Sequence, residues 1–159
     1  MSKINEVLNN KDSIIVFDVD GVLVPIEYGE YNHYYATDEE WAREIESGRD
    51  FYEDIRVVKT IKDYIETRDI NKIYVITKVM NEKEFNDKVK SLNKHYGILS
   101  DNCFMVYSDD DKLTKLNEIK DKVNVEDKYI AMVDDTVSVL NNIMENSKFT
   151  TIHISTFLK

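Results

Sequence analysis

Asp18 and Asp20 stand two residues apart in Asp18-Val19-Asp20-Gly21, directly after the apolar run IIVF at 14–17. Two acids so placed can divide labour. One stays ionised against a metal and attacks phosphorus, while the other protonates a departing oxygen and later activates water. Gly21 lets the chain turn sharply behind them. Asp-Gly is also a common turn dipeptide, so these four residues alone are equally consistent with a turn carrying solvated acids. Asp134 and Asp135 follow the run YIAMV. Adjacent carboxylates repel unless solvated or bridged by a cation, and Mg²⁺, a hard ion that takes carboxylate, carbonyl and water oxygens, is the natural bridge. Either acid could also cap a helix. Thr77, after IYVI, offers a hydroxyl and neighbouring amides to phosphate oxygens, although threonine at a strand end is commonly a strand or cap residue. A lysine near the start of the segment carrying Leu113 and Leu116 would offset the charge of clustered carboxylates and phosphate. Lys112 is the choice, with Lys115 and Lys78 as rivals.

Residues that far apart converge only if the chain is built to bring them together. Five short runs rich in β-branched and aromatic residues read as strands: 14–17, 73–76, 103–107, 129–133 and 151–154. Their near-continuous apolarity suits a parallel sheet covered on both faces, and the segments between them have helical spacing. The fold expected is α/β, a Rossmann-like three-layer sandwich with a mainly parallel five-stranded sheet. In such sheets ligands bind at the carboxyl ends of the strands, which is where the four features fall.

Helix signals are specific in places. Asn81 with Glu84 is a weak capping box, Phe85, Val89, Leu92 and Tyr96 mark one face, and Gly97 is a stop. Thr37 with Glu40 is a true capping box, followed by Trp41 and Ile45 and ended by Gly48. A longer helix is predicted over residues 52–67, with Ile55, Val58, Ile61 (or Lys62) and Ile65 inward. Leu113, Leu116, Ile119 and Val123 give another stripe, and Val137, Leu140 and Ile143 or Met144 the last. Residues 24–51 form a small insert after the first strand, long enough for a flap and one or two helices but too short for a large cap.

At 159 residues without a Pro/Gly/Ser-rich linker, the chain reads as a single domain over 1–159. Its composition, 42% hydrophobic and 33% charged, fits a soluble globular protein and excludes disorder and a membrane span. No apolar run near the start resembles a signal peptide, and the one cysteine, Cys103, lies in an apolar stretch as a small buried hydrophobe, so a cytoplasmic setting is expected. A net charge of -10 disfavours nucleic acid and anionic lipid as partners. Oligomeric state leaves no mark on the sequence.

The sequence IIVFDVDGVLV resembles the first motif of the haloacid dehalogenase-like (HAD) superfamily, an apolar strand followed by D-x-D-G-[TV]-[LV]. The resemblance continues in order through IYVIT, DDDKLTKL and YIAMVDD and spans about residues 14–154. It implies a phosphatase in which Asp18 forms an aspartyl-phosphate and Asp20 acts as general acid, then general base. Thr77 would bind the phosphoryl group and Lys112 would steady its charge. Mg²⁺ would be held by Asp18, the Asp20 backbone carbonyl and Asp134, with Asp135 helping directly or through water. An acid at position 20 goes with phosphotransfer in this superfamily and disfavours dehalogenation.

The resemblance further implies a small phosphorylated metabolite as substrate, or a nucleotide, since the superfamily includes 5′-nucleotidases. Tyr28, Tyr31, His33, Tyr34, Tyr35 and Trp41 could stack on a flat substrate, with packing the favoured role. Competing readings are a phosphatase for a macromolecular phosphate, a phosphomutase, and a non-catalytic binding or regulatory domain, the last weakened by the presence of Asp18, Asp20 and Asp134. His95 and His153 are isolated and read as structural, and no Cys/His cluster suggests zinc.

Overall fold

The structure, a computed structural model, describes residues 1–25 and 37–158, together with the backbone of 27–28 and 31–32. In chain order the elements are α1 (Lys3–Asn9), β1 (Ile14–Phe17), the short strands β2 (Glu27–Tyr28) and β3 (Tyr31–Asn32), α2 (Asp38–Glu46), and α3 (Lys59–Glu66). These are followed by β4 (Ile73–Lys78), α4 (Glu82–Tyr96), β5 (Cys103–Val106), α5 (Lys112–Lys122), β6 (Ile130–Asp134), α6 (Val137–Asn146) and β7 (Thr150–His153).

Five strands form one sheet in the order β5-β4-β1-β6-β7, with every neighbouring pair parallel. β2 and β3 make a separate antiparallel pair inside the insert. Burial on both faces explains the unbroken apolar runs. Ile15, Phe17, Val75, Ala131 and Val133 face one core with Ile61 and Ile65 of α3 and Leu92 and Tyr96 of α4. Val16, Ile76 and Met132 face a second core with Leu116 and Ile119 of α5 and Val139, Leu140 and Ile143 of α6. The result is the three-layer α/β sandwich expected, with the sheet parallel throughout.

Several boundaries differ from the sequence reading. The helix predicted over 52–67 shortens to Lys59–Glu66, because the residues before it are held by side-chain bonds incompatible with a helical ladder. Asp50 accepts from the Tyr52 amide at 2.8 Å, and the Val58 amide donates to the Tyr96 hydroxyl at 2.8 Å. Val137 and Met144 of α6 are exposed and Val139 takes the inward place. The strand at 103–107 stops at Val106, leaving Tyr107 exposed. α1 has no counterpart in the sequence reading. Tyr64 and Arg68 hold its end by donating to the Leu8 carbonyl, and Arg68 also donates to those of Asn10 and Ser13.

Caps were more legible. Thr37 and Glu40 form both bonds of the capping box on α2, and Asn81 accepts from the Glu84 amide at the start of α4. Gly97 ends α4 at φ 70. Within the insert, Trp41 and Ile45 bury against the first core and Trp41 stacks on Phe51 at 4.2 Å. The side chains of Tyr28, Tyr31, His33, Tyr34 and Tyr35 lie outside the described residues. Among the described residues no helix is long and apolar enough to cross a membrane.

Candidate active site

Register brings the acids together. Phe17 is paired with Val75 on one side and Val133 on the other, so Asp18 leaves β1 beside Asp134 at the end of β6. The Asp18 amide still donates to the Val133 carbonyl at 3.0 Å. Beyond it the chain folds back in a tight loop, with the Gly21 amide donating to Val24 and the Val22 and Val24 amides to Val19. Val19, Val22, Leu23 and Val24 are buried, which anchors the loop under the site. Gly21 has φ +80, and a Cβ there would run into the Asp135 carboxylate, so glycine serves both the turn and the close approach.

Asp18, Asp134 and Asp135 each turn a carboxylate oxygen toward one spot, with these atoms within 4.8 Å of one another. Hard oxygen donors so grouped fit a divalent cation of the Mg²⁺ type. The Asp20 carboxylate is not in this group. Its Oδ1 accepts from the Tyr52 hydroxyl at 2.9 Å and its Oδ2 from Lys88 Nζ at 2.7 Å.

Lys112, only 2% exposed, opens α5 and points its amine at Asp134 (2.8 Å), Asp109 (3.3 Å) and Asp18 (3.4 Å). Of the rivals, Lys115 pairs with Glu118 at 3.0 Å away from the site, while Lys78 lines the same cleft as Asp18 but lies against Asp38, at 4.0 Å. Of the three lysines weighed, Lys112 is therefore the one beside Asp18. Burial pushes the Asp18 carboxyl up to about 8, with Lys112 pulling against it and Asp134 and Asp20 adding to it. Asp135 is also raised, by burial and by Asp134. For Lys112 burial opposes the charge, but Asp18 and Asp134 outweigh it and hold the proton above the ordinary range.

These groups open on a cavity of about 210 Å³ whose wall includes Asp18, Asp20, Lys112, Asp135, Trp41 and Glu84. Thr77 is 1% exposed, and its hydroxyl accepts from Lys88 Nζ at 2.9 Å and donates to the Lys78 carbonyl at 3.3 Å. It sits behind the wall. His95 approaches the Glu53 carbonyl at 3.3 Å and His153 the Asp135 carbonyl at 3.2 Å, bonds that fit the structural role expected of both. Cys103 is buried, and burial pushes its thiol up to about 12.

Sequence reasoning missed Lys88 and Tyr52 and read Glu84 only as a capping residue, whereas its carboxylate bonds Trp41 and Lys88. Lys88 is one of several lysines along α4, and nothing local sets it apart. Glu84 and Lys88, four residues apart, share a face with Leu92 and Tyr96 and not the outer side of the helix, a pattern that shows only once the facing of α4 is known.

No family model matches the chain, and no curated protein matches its sequence. Solved structures do resemble it. DsGPDH of Dunaliella salina is 16% identical with a TM-score of 0.61, over 96% of this chain and 25% of that one. The chain thus spans about a quarter of that protein's length. The 3-deoxy-D-manno-octulosonate 8-phosphate phosphatase of Moraxella catarrhalis, solved with magnesium, phosphate and KDO, is 18% identical with a TM-score of 0.51, over 93% of this chain and 72% of that one. At these identities the likeness is one of fold alone, the α/β sandwich around a parallel five-stranded sheet.

Proposed function

We propose that the chain is a Mg²⁺-dependent phosphomonoester hydrolase working through a phosphorylated Asp18. The observation that carries this reading is the convergence of Asp18, Asp134 and Asp135 on one spot with Lys112 buried beside them, at the mouth of the parallel sheet. The fold shared with the Moraxella phosphatase, which was solved with magnesium and phosphate, supports it. A divalent cation held by Asp18, Asp134, Asp135 and the Asp20 backbone carbonyl would neutralise the carboxylates and the substrate's phosphoryl oxygens.

The chain's own residues supply the rest. Burial holds a proton on the Asp18 carboxyl, and a cation held beside it would favour the ionised form. That carboxylate bonds to phosphorus as the bond to the leaving oxygen breaks, and the Asp20 carboxyl passes its proton to that oxygen. Water then attacks phosphorus, returns a proton to Asp20 and releases inorganic phosphate, restoring Asp18. Lys112 stays charged throughout and offsets the negative charge gathered at the phosphoryl group. Thr77, its hydroxyl taken up by Lys88 and the Lys78 carbonyl, holds the end of β4 behind the site and does not itself turn that hydroxyl to phosphate. The net charge of -10 disfavours a polyanionic substrate, which supports a small phosphorylated metabolite over the phosphate of a nucleic acid.

The test is phosphate release from a panel of small phosphomonoesters in Mg²⁺ and in EDTA, with Asp18→Asn alongside. Release that requires Mg²⁺ and is lost in the variant is expected. Full turnover by Asp18→Asn would show that another group attacks phosphorus.

A further inference from the structure

Lys88 is a charged group that the reaction above leaves unused, and it is 1% exposed. Its amine lies 2.7 Å from Asp20 Oδ2, 2.8 Å from the Lys78 carbonyl, 2.9 Å from Thr77 Oγ1 and 3.0 Å from Glu84 Oε2. Its far side faces the Tyr52 ring at 5.4 Å, the same tyrosine whose hydroxyl donates to Asp20 Oδ1. Glu84 in turn accepts at Oε1 from the indole Nε1 of Trp41, at 2.9 Å, and Trp41 belongs to α2 of the insert. An unbroken chain of bonds therefore runs from the insert helix through Glu84 and Lys88 to the Asp20 carboxylate.

Burying a lysine and two carboxylates is costly, and well-packed apolar residues of similar volume are often as stable or more so. What apolar residues could not do is fix a carboxylate in orientation. Lys88 and Tyr52 take one Asp20 oxygen each, so the rotation of that side chain is determined from both ends. Trp41, Glu84 and Asp20 also share the cavity wall, so the groups that set this orientation sit where a leaving group must pass.

We propose that Lys88 is a positioning residue for Asp20, held in turn by Glu84 and Trp41, so that the docking of α2 sets how well the leaving oxygen is protonated. This rests on the acid–base role given to Asp20 above. The insert is then a working part of the proton transfer as well as a wall of the cavity.

The experiment compares two substrates of nearly the same shape in Mg²⁺. Phenyl phosphate leaves as a basic phenoxide and needs a proton, whereas p-nitrophenyl phosphate leaves as a stabilised anion and needs little help. Lys88→Met is expected to lower kcat for phenyl phosphate by about 100-fold, in line with the weight of general acid catalysis, and for p-nitrophenyl phosphate by under about tenfold. Because loss of a buried cation could unfold the chain, Trp41→Phe and Glu84→Gln carry the same comparison. Trp41→Phe keeps a ring on Phe51 and removes only the Nε1 donor. Both are expected to shift the ratio of the two kcat values in the same direction, by a smaller factor, at a melting temperature near that of the unsubstituted protein. Equal losses on the two substrates across the folded variants would overturn the positioning role and leave the hydrolase reading intact. No hydrolysis of either substrate by the unsubstituted protein would overturn both.

Discussion

Replacing Lys112 by methionine keeps an unbranched stem in a nearly closed site and deletes the charge. The amine lies 2.8 Å from Asp134, whose carboxylate is wholly buried, and 3.4 Å from Asp18. Without it those two acids and Asp135 face one another with no lysine between them. Removing one partner of a buried ion pair costs about 3–5 kcal/mol, because the remaining charge stays desolvated and unpaired. For a domain of this size each kcal/mol moves the melting temperature by about 2–4 °C, so a fall of roughly 6–20 °C is expected in EDTA. A divalent cation placed among the same carboxylates replaces part of the lost charge, so Mg²⁺ should raise the melting temperature of the variant more than that of the unsubstituted protein. The assay is a pair of thermal melts, with and without Mg²⁺, on Lys112→Met and on Lys115→Met as the surface control. Lys115 pairs with Glu118 on the outside of α5, and its loss should cost no more than about 1 kcal/mol. Turnover by Lys112→Met should fall by about 10²–10³-fold, the scale of losing one preorganised electrostatic contact. A Lys112→Met melt in EDTA indistinguishable from the control would refute the reasoning, since the buried acids would then need no cation.

Gly21→Ala adds a Cβ that meets the Asp135 carboxylate at a φ of +80, so it should cost about 1–2 kcal/mol of stability and raise the Mg²⁺ concentration needed for half-maximal turnover. Unchanged Mg²⁺ dependence would remove Asp135 from the cation site. Tyr96 donates to the Leu23 carbonyl and accepts from the Val58 amide, and burial pushes its hydroxyl up to about 12. An acid with a raised folded pKa keeps a proton that the unfolded chain has already released. Its contribution is therefore whole below about pH 10 and is lost as pH rises toward 12, with a slope of at most about 1.4 kcal/mol per pH unit. Tyr96→Phe should destabilise by about 1–3 kcal/mol at pH 7 and melt with a shallower decline above pH 10, and an unaltered slope would rule out Tyr96 as its source.

What the sequence revealed and what it hid follow from how far each signal reaches along the chain. β1 and β6 were legible because a strand buried on both faces is a continuous apolar run, and the acids that end them stand out by contrast. The caps of α2 and α4 were legible because each is a bond between residues three apart. The nonhelical stretch before α3 was hidden in part because the Val58 amide is taken by the Tyr96 hydroxyl, a partner remote in sequence, while the bond from the Tyr52 amide to Asp50 is local. Lys112 could be named but not separated from Lys115 and Lys78, since the choice depends on how α5 meets the end of β1. α4 carries the sharpest case. Its apolar stripe suggested that Phe85 and Val89 face inward, yet both are only half-buried, while Glu84, Lys88 and Ser91 are fully buried with Leu92 and Tyr96. The true inward face is rotated by about one residue from the apolar one, against the pattern that a core-facing helix ordinarily follows. A local rule broken where partners are supplied by Asp20, Thr77 and Trp41 points to a site rather than to a packing fault. Polar side chains at helical spacing inside a core are therefore as informative about the chemistry as the Asp18-Val19-Asp20-Gly21 motif itself, but only after the fold has shown which way the helix faces.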